Sequence, residues 1–599
     1  MSKAQQEVYF RMDSILRSKQ DSPRLRAARV TPTEQQFRWM QRPLTIFVHF
    51  SLNTFYDTEW GDGTEDPSQF NPRRCDPEQW AEVIAATGAT LAILTCKHHG
   101  GFCLWPSAYT DYSVAATPWK NGQGDLVREF STACAKYGID FGVYLSPWDR
   151  HEASYGDSEQ YNNFFCNQLT ELLSDYGRIS VVWFDGACRP KEGNIQQYDW
   201  ERYYRLIRKL QPDCLISGIG PDIRWCGNEA GRSRPAEWAV INRTKSYVDF
   251  NRENCRLPEI GDPGNGENLV WYPAEVDFSL RPGWFYHLAE DREIKSLHKL
   301  VDIYFNSAGH NAVPLLNITP DTQGRIPEGD AQRLRAFGEL MKTAFSENLL
   351  EGMQIDGLEP ESPLPSQQTF NCIMLRENIR LGQRVEKYVV EILREGSWQI
   401  ITSGLTIGNR ELKLFPPVNG ERLRVKVLSS RDTPQLSHVG VYNFPLPPPA
   451  LEAGTFELAY SPGKTRVCEV SSEHPEYPAR LLFEDRFAEF STDPEKRLPQ
   501  WVTIELDAPR AVRGMILLPA QRDTARGLPA DCSCQVSSDG TTWLPTGTFE
   551  LANALNSPGY QRRFFGQCYP DIRFLRLTVH STYNGETFFR LNRFFAIAN

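Results

Sequence analysis

What most restricts the fold of this chain is an alternation, between residues 44 and 345, of short apolar runs and capped amphipathic segments. Leu44–Phe50 is apolar, is bounded by Pro43 and a polar loop, and reads as a buried strand. A loop over 53–74, rich in Asp, Gly and Pro, leads to a helix with explicit end signals: Asp76 as N-cap, Pro77 in the first turn, Gly88 as the stop. Trp80, Val83, Ile84 and Thr87 form its inner face. The unit then recurs. Strands are expected at Thr90–Thr95, Ile139–Leu145, 179–186 and Cys214–Ser217, with helices at Asp125–Tyr137, Ser158–Tyr176 and 198–210. The pattern blurs in a polar insertion over 220–268. It resumes with a strand at Trp271–Val276, a helix at 290–305, a strand at Val313–Ile318 and a closing helix near 328–345. Residues 1–40 read as a helical lead-in that ends at Trp39.

Strands separated by helices lie parallel, because each crossover returns the chain to the same end of the sheet. Roughly eight such units fit a (β/α)8 barrel better than an open doubly wound sheet. No Gly-rich phosphate fingerprint follows the first strand, which also counts against a dinucleotide fold. Past residue 350 the texture changes. Alternating runs such as Arg384–Ile392 and Arg422–Leu428 predict an all-β module. Pro445–Pro449 is a stiff spacer, and a second β module carries Trp501–Leu506 and Phe574–Val579. The expected division is a barrel over 1–350, a β-sandwich over 351–447 and a second β-sandwich over 448–599.

Composition narrows the function class. A net charge of −10 opposes the basic stripe that a nucleic-acid binder needs. No apolar run reaches the length of about 18 residues expected of a membrane helix. Met1–Phe10 lacks the apolar centre of a signal peptide, so the expectation is cytoplasmic, or secreted or periplasmic if a leader has been removed. None of the 14 cysteines shows zinc-site spacing, and Cys532-Ser-Cys534 has no second pair. Thiols in expected core elements (Cys96, Cys134, Cys166, Cys214) favour a reducing compartment. The 15 Trp and 23 Tyr suit sugar stacking, although large cores need them too.

Chemistry gathers at the strand ends, where barrel enzymes keep their working groups. His49 ends the first strand, His98 and His99 the second, Tyr144 and Trp148 the third, Trp183 and Asp185 the fourth. Asp185 closes the apolar run Ile179-Ser-Val-Val-Trp-Phe-Asp-Gly186, where a carboxylate is costly unless it is paired, hydrogen-bonded or employed. His98 and His99, as neighbours on a strand, point to opposite faces and do not ligate one ion, so no metal is expected in the active site. Cleaving a glycosidic bond takes two carboxyl groups. Asp185 serves as the first; Glu59, Glu152, Glu229, Glu237 and Glu275 remain open for the second. Glu229, near Trp225 and flanked by glycines in the loop after the fifth strand, has the partly desolvated setting that suits a general acid.

Phe47-Val-His49-Phe50, Glu59-Trp60, Lys97-His98-His99-Gly-Gly-Phe102, Val181-Val-Trp183-Phe-Asp185-Gly186 and Leu315-Leu-Asn-Ile-Thr-Pro320 together resemble the α-L-fucosidases of glycoside hydrolase family 29, over residues 30–350. The resemblance implies a retaining double displacement in a (β/α)8 barrel that requires no cofactor, acting on a fucosylated oligosaccharide or glycoconjugate. It implies Asp185 as nucleophile, with His49, Glu59, Trp60, His98, His99, Tyr144 and Trp183 lining the fucose pocket. Trp284, in Arg281-Pro-Gly-Trp-Phe-Tyr286, matches an aromatic that meets the fucose methyl group. Gly227-Asn-Glu229-Ala-Gly231, and Pro273-Ala-Glu-Val-Asp277 followed by Arg281–Trp284, are similar to the subfamily that cuts α-1,3 and α-1,4 fucose from branched, Lewis-type glycans. In that subfamily the position of Glu229 is the acid/base. Two departures stand out: His49-Phe50 where His-Trp is commoner, and Ala308–Val313, which is less glycine-rich than usual.

Trp501–Pro509, Val536–Trp543 and Arg573–Leu577 are similar to discoidin-type, family 32 carbohydrate-binding modules. That implies sugar-binding loops, a structural calcium, or a purely architectural role. Two other readings stay open: a non-catalytic glycan-binding protein, and a barrel hydrolase for another sugar.

Overall fold

Eight parallel strands form the frame that positions the site, in a computed structural model that describes residues 22–254, 259–350, 359–365, 368–447, 458–459, 464–483, 489–520, 526–551, 554 and 560–598. In chain order they are β1 (Thr45–Val48), β2 (Leu91–Lys97), β3 (Asp140–Leu145), β4 (Val181–Phe184), β5 (Leu215–Gly218), β6 (Arg224–Trp225), β7 (Ala274–Ser279) and β8 (Val313–Ile318). The hydrogen-bonded order is β5-β4-β3-β2-β1-β8-β7-β6, parallel throughout, so the sheet curls into a nearly closed barrel with β5 and β6 at the seam.

Both faces of these strands are buried, which is why they read as continuous apolar runs. Alternate residues separate into two cores. Ile46, Val48, Ala92, Leu94, Val143, Val182, Phe184 and Leu316 pack with the helices outside. Phe47, Leu91, Ile93, Tyr144, Val181, Trp183, Leu215 and Leu315 pack with one another inside. Helices α1 (Pro77–Ala86), α2 (Leu126–Lys136), α3 (Ser158–Asp175) and α4 (Trp200–Leu210) follow the first four strands. Each begins at an aspartate, namely Asp76, Asp125, Asp157 and Asp199, whose side chain accepts an otherwise unpaired N–H of the first turn.

The regular unit breaks after β5. Only residues 219–223 link β5 to β6, with no helix between. The strand expected at Trp271–Val276 is two elements: Leu269–Trp271 pairs antiparallel with Val240–Asn242, and the barrel strand begins at Ala274. Pro273 lies between them, and a proline has no N–H with which to continue a ladder. The helix expected at 290–305 is shorter. It is α5 (Leu297–Phe305), capped by Ser296, with a single 3-10 turn at Leu288–Glu290 before it. The closing helix α6 is Glu328–Ala344. Of the helical lead-in, Pro23–Ala28 and Glu34–Met40 are helices, the latter opened by a Thr33–Gln36 capping box; residues 1–21 lie outside the described residues.

The chain divides into two compact units, one of Met1–Glu290 with Ile294–Ala450, the other of Asp291–Glu293 with Leu451–Asn599. In the first, the barrel is joined by two antiparallel sheets, Glu361–Pro363, Arg422–Ser430, Val385–Arg394 and Ser397–Gly404 in one, Glu411–Val418, Phe370–Glu377 and Leu436–Tyr442 in the other. Their core includes Phe370, Leu375, Val390, Ile392, Leu423 and Val441. The second unit is built on an antiparallel sheet in the order Leu458–Ala459, Arg590–Ala598, Gln500–Pro519, Gln561–Val579, Asp531–Ser537 and Leu544–Glu550.

Candidate active site

Asp185 follows β4 directly, and its carboxylate is held on both oxygens. Tyr144 Oη, from β3, donates to Oδ2 at 3.0 Å, and the Ala187 N–H donates to Oδ1 at 2.7 Å. The side chain keeps 25% exposure, so it faces open space at the barrel mouth. Tyr144 is aimed by its neighbour on β4: its ring stacks on Trp183 with centroids 5.4 Å apart and 19° between planes. Burial and the Asp185 charge push the Tyr144 hydroxyl well up, so it remains a donor.

Three histidines cluster on one side of the mouth, and one of them reaches this carboxylate. His99 Nε2 stands 3.8 Å from Asp185 Oδ2, and its Nδ1 meets Ser146 Oγ at 2.8 Å. The His49 Nδ1 meets Asn317 Oδ1, from β8, at 2.7 Å. The expectation that His98 and His99 point to opposite faces fails: their rings are 4.1 Å apart, with His98 also 5.7 Å from His49. The reason is a register shift between Thr95 and Lys97, which re-aims the end of β2. Lys97 turns outward to Asp149 Oδ2 at 2.8 Å and Gln168 Oε1 at 2.9 Å on α3, leaving both histidines to face the mouth. Burial lowers all three imidazoles, His49 and His99 to about 4 and His98 well below its ordinary value, so all are neutral near pH 7. Trp60 and Trp148 close this wall at 5.3 and 5.0 Å from the His99 ring.

The opposite wall comes from the segment after β7. Glu59 accepts the Trp284 N–H at 3.0 Å and the Phe285 N–H at 3.2 Å, and meets His287 Nε2 at 2.8 Å. The carboxylate of Glu59 thus organises the Trp284 segment. Burial opposes its charge, but the His287 contacts and the backbone N–H groups hold it at about 2. Burial opposes the charge of His287 as well, yet Asp57 and Glu59, one on each ring nitrogen, push it up to about 10. Trp284 Nε1 donates to Glu229 Oε2 at 3.1 Å. Glu229 follows β6, not the fifth strand, in a loop between two glycines of positive φ (Gly227, +101°; Gly231, +73°). At Gly231 a Cβ would come 2.6 Å from Ile303 Cγ2, so the loop needs glycine there.

The remaining candidate acids are committed elsewhere. Glu152 accepts Ser154 N and Oγ in a turn. Glu237 is buried against Arg224 and Arg234. Glu275 lies inside the barrel, where Oε2 accepts Trp183 Nε1 at 2.7 Å and Ser217 Oγ at 2.8 Å; burial lifts it to about 7. Asp277, two residues on along β7, accepts Trp225 Nε1 at 2.7 Å, and burial together with the charge of Glu229 raises it well above the carboxylate range. Asn317, Ser146, His287 and Asp277 have places in this network that went unnoticed in the sequence. The visible signals were a polar residue inside the apolar run Leu315–Ile318 and the alternating acids of Ala274–Ser279. Among the described residues no group of three or more His, Cys, Asp or Glu is arranged to hold a metal ion.

A family model described as alpha-L-fucosidase matches residues 27–344. An Arabidopsis thaliana protein named alpha-L-fucosidase 1 is 39% identical over 448 residues, which is 69% of this chain and 87% of that one. Among solved structures, a glycoside hydrolase 29 family member from an unknown rumen bacterium is 34% identical with a TM-score of 0.66, covering 96% of this chain and 100% of its own. A Ruminococcus gnavus GH29 fucosidase in complex with fucose is 30% identical with a TM-score of 0.62, over 69% of this chain and 95% of its own.

Proposed function

Because the chain belongs to the α-L-fucosidase family of glycoside hydrolases, we propose that it releases terminal α-1,3- and α-1,4-linked L-fucose from branched, Lewis-type glycans with retention of configuration. The observation that carries this reading is a pair of restrained carboxylates, Asp185 under Tyr144 and Glu229 under Trp284, at one barrel mouth. In the first step an Asp185 oxygen bonds to the anomeric carbon as the glycosidic C–O bond breaks, and Glu229 gives its proton to the departing sugar oxygen. In the second step water attacks the same carbon, Glu229 takes the water proton, and the ester to Asp185 breaks. Retention by this route sets the two carboxyls about 5–5.5 Å apart. His49, His98, His99, Trp60 and Tyr144 line the seat of the fucose ring, Trp183 supports Tyr144 beneath it, Trp284 faces the methyl group, and Glu59 anchors the Trp284 segment.

Asp185→Gly tests the nucleophile. Loss of turnover, with recovery of an activated fucoside as the fucosyl azide when azide is added, is the expected result. No recovery, or inverted product from the native enzyme by NMR, would overturn the double displacement. Digesting a Lewis-type trisaccharide separates the linkage and sugar readings: fucose must appear, and galactose must not. A chain that only bound the trisaccharide would be the non-catalytic alternative. For the C-terminal unit we propose a discoidin-like module, and titration with galactose-type sugars and with calcium alone distinguishes a binding module from an architectural one.

A further inference from the structure

Trp284 is held at both ends of its backbone and at the edge of its ring. Its N–H donates to both Glu59 oxygens at 3.0 Å, and its C=O accepts from Asn317 Nδ2 at 2.8 Å. The ring lies 5.2 Å from His49, tilted by 48°, and edge-on to Phe47 at 6.4 Å. An aromatic needed only as an apolar wall requires no particular direction for its indole edge. Here that edge is specified, because Nε1 donates to Glu229 Oε2 at 3.1 Å. The N–H lies in the ring plane, whereas an apolar group packs on the ring face, so the two uses do not compete. Glu229 stands on an irregular loop rather than on a strand, and a loop carboxylate keeps its aim only when a group outside the loop holds it.

We infer that Trp284 is a positioning residue for the acid/base, its indole N–H fixing the Glu229 carboxyl while its ring face meets the sugar. This rests on the assignment of Glu229 made above. The consequence depends on the leaving group. As the glycosidic bond breaks, the proton passes from Glu229 to the departing oxygen, and that transfer matters most when the leaving group is a poor one, such as a sugar hydroxyl. A misaimed acid slows such substrates and spares one whose leaving group departs without a proton.

The test compares a Lewis-type trisaccharide with α-L-fucosyl fluoride by kcat/KM, which reports the bond-breaking step for both. Trp284→Phe keeps the ring and loses the donor; Trp284→benzothienylalanine keeps the bicyclic shape as well, and serves if the phenylalanine variant folds poorly. Each variant is expected to lose roughly ten- to a hundredfold more on the trisaccharide than on the fluoride, the effect of one hydrogen bond to a charged group; a loss common to both substrates reports the ring face taken from the sugar. Glu229→Gln must show the same bias more strongly, and Trp284→Phe must add no further bias in that background. Equal losses on both substrates, or no loss on either, would overturn the inference. If Glu229→Gln shows the bias and Trp284→Phe does not, only the role of Trp284 falls. If Glu229→Gln shows none, the acid assignment falls and the inference with it.

Discussion

Glu275→Gln should stabilise the first unit at alkaline pH and not at acid pH. The carboxyl is 1% exposed on β7, and its partners Trp183 Nε1 and Ser217 Oγ are neutral donors to one oxygen. No cation compensates its charge among the causes that move it, and burial carries it from 4.5 to about 7. A raised acid binds its proton more tightly in the folded chain than in the unfolded one. The folded state is therefore unpenalised below pH 4.5, loses stability as pH rises from there through 7, and carries the full cost above. At about 1.36 kcal/mol per pH unit the cost is a little over 3 kcal/mol. Glutamine keeps an acceptor for both donors and cannot ionise. Asp277, two residues on, is pushed up by burial, by Glu229 and in part by the Glu275 charge itself, so removing that charge eases Asp277 as well and adds to the alkaline gain. Denaturant unfolding followed by tryptophan fluorescence at pH 4.5 and pH 8 is the assay. The variant should match the native chain within about 1 kcal/mol at pH 4.5 and exceed it by roughly 3 kcal/mol at pH 8. Parallel pH profiles would refute the reasoning.

Lys97→Met strands the buried Asp149 charge, since the pair is 0% and 2% exposed, and should cost about 3–5 kcal/mol in the same unfolding assay. His287→Gln removes the cation between Asp57 and Glu59. Because the folded pKa lies above the ordinary 6.5, its contribution is complete below that value and fades as pH rises through about 10. The variant should lose about 2 kcal/mol at pH 6 and nothing above pH 11, a figure discounted for the exposure of Asp57. Tyr144→Phe deletes one of the two donors on Asp185 and should lower kcat roughly tenfold to a hundredfold, read by fucose release, with the melting temperature shifted by a few degrees at most.

The strand–helix alternation was legible because barrel strands are buried on both faces, and the start of α1 was legible because Asp76 marks it; Asp125, Asp157 and Asp199 cap the next three helices in the same way. What escaped has physical causes. β6 is two residues long, too short for any periodicity to register. Pro273 split an apolar run whose two halves belong to different sheets. The paired orientation of His98 and His99 depends on a bulge that the rule of alternation cannot see. Asp185 stood out as an acid at the end of an apolar strand. Glu229 was legible only as one of five open acids, in a setting that suits a general acid, because Trp284, which donates to it, lies 55 positions further along the chain.

The histidines carry the last step, because their tautomers follow from the groups behind them. Asn317 gives its amide hydrogens to Ser279 Oγ and Trp284 O, so its oxygen accepts from His49 Nδ1–H. Ser146 gives its hydrogen to the Trp148 carbonyl, so its oxygen accepts from His99 Nδ1–H. Both rings are neutral, and both therefore turn a bare Nε2 toward the mouth. The His99 Nε2 lone pair confronts Asp185 Oδ2 at 3.8 Å. Two acceptors at that separation want a donor between them, and a hydroxyl supplies one. A site that presents acceptors in this arrangement selects a polyol. Among singly deoxygenated fucosides, at least one should lose roughly a hundredfold or more in kcat/KM, since its absent hydroxyl leaves His99 and Asp185 facing each other unbridged. Losses below about threefold across the whole set would mean that the histidines shape the pocket without reading the sugar.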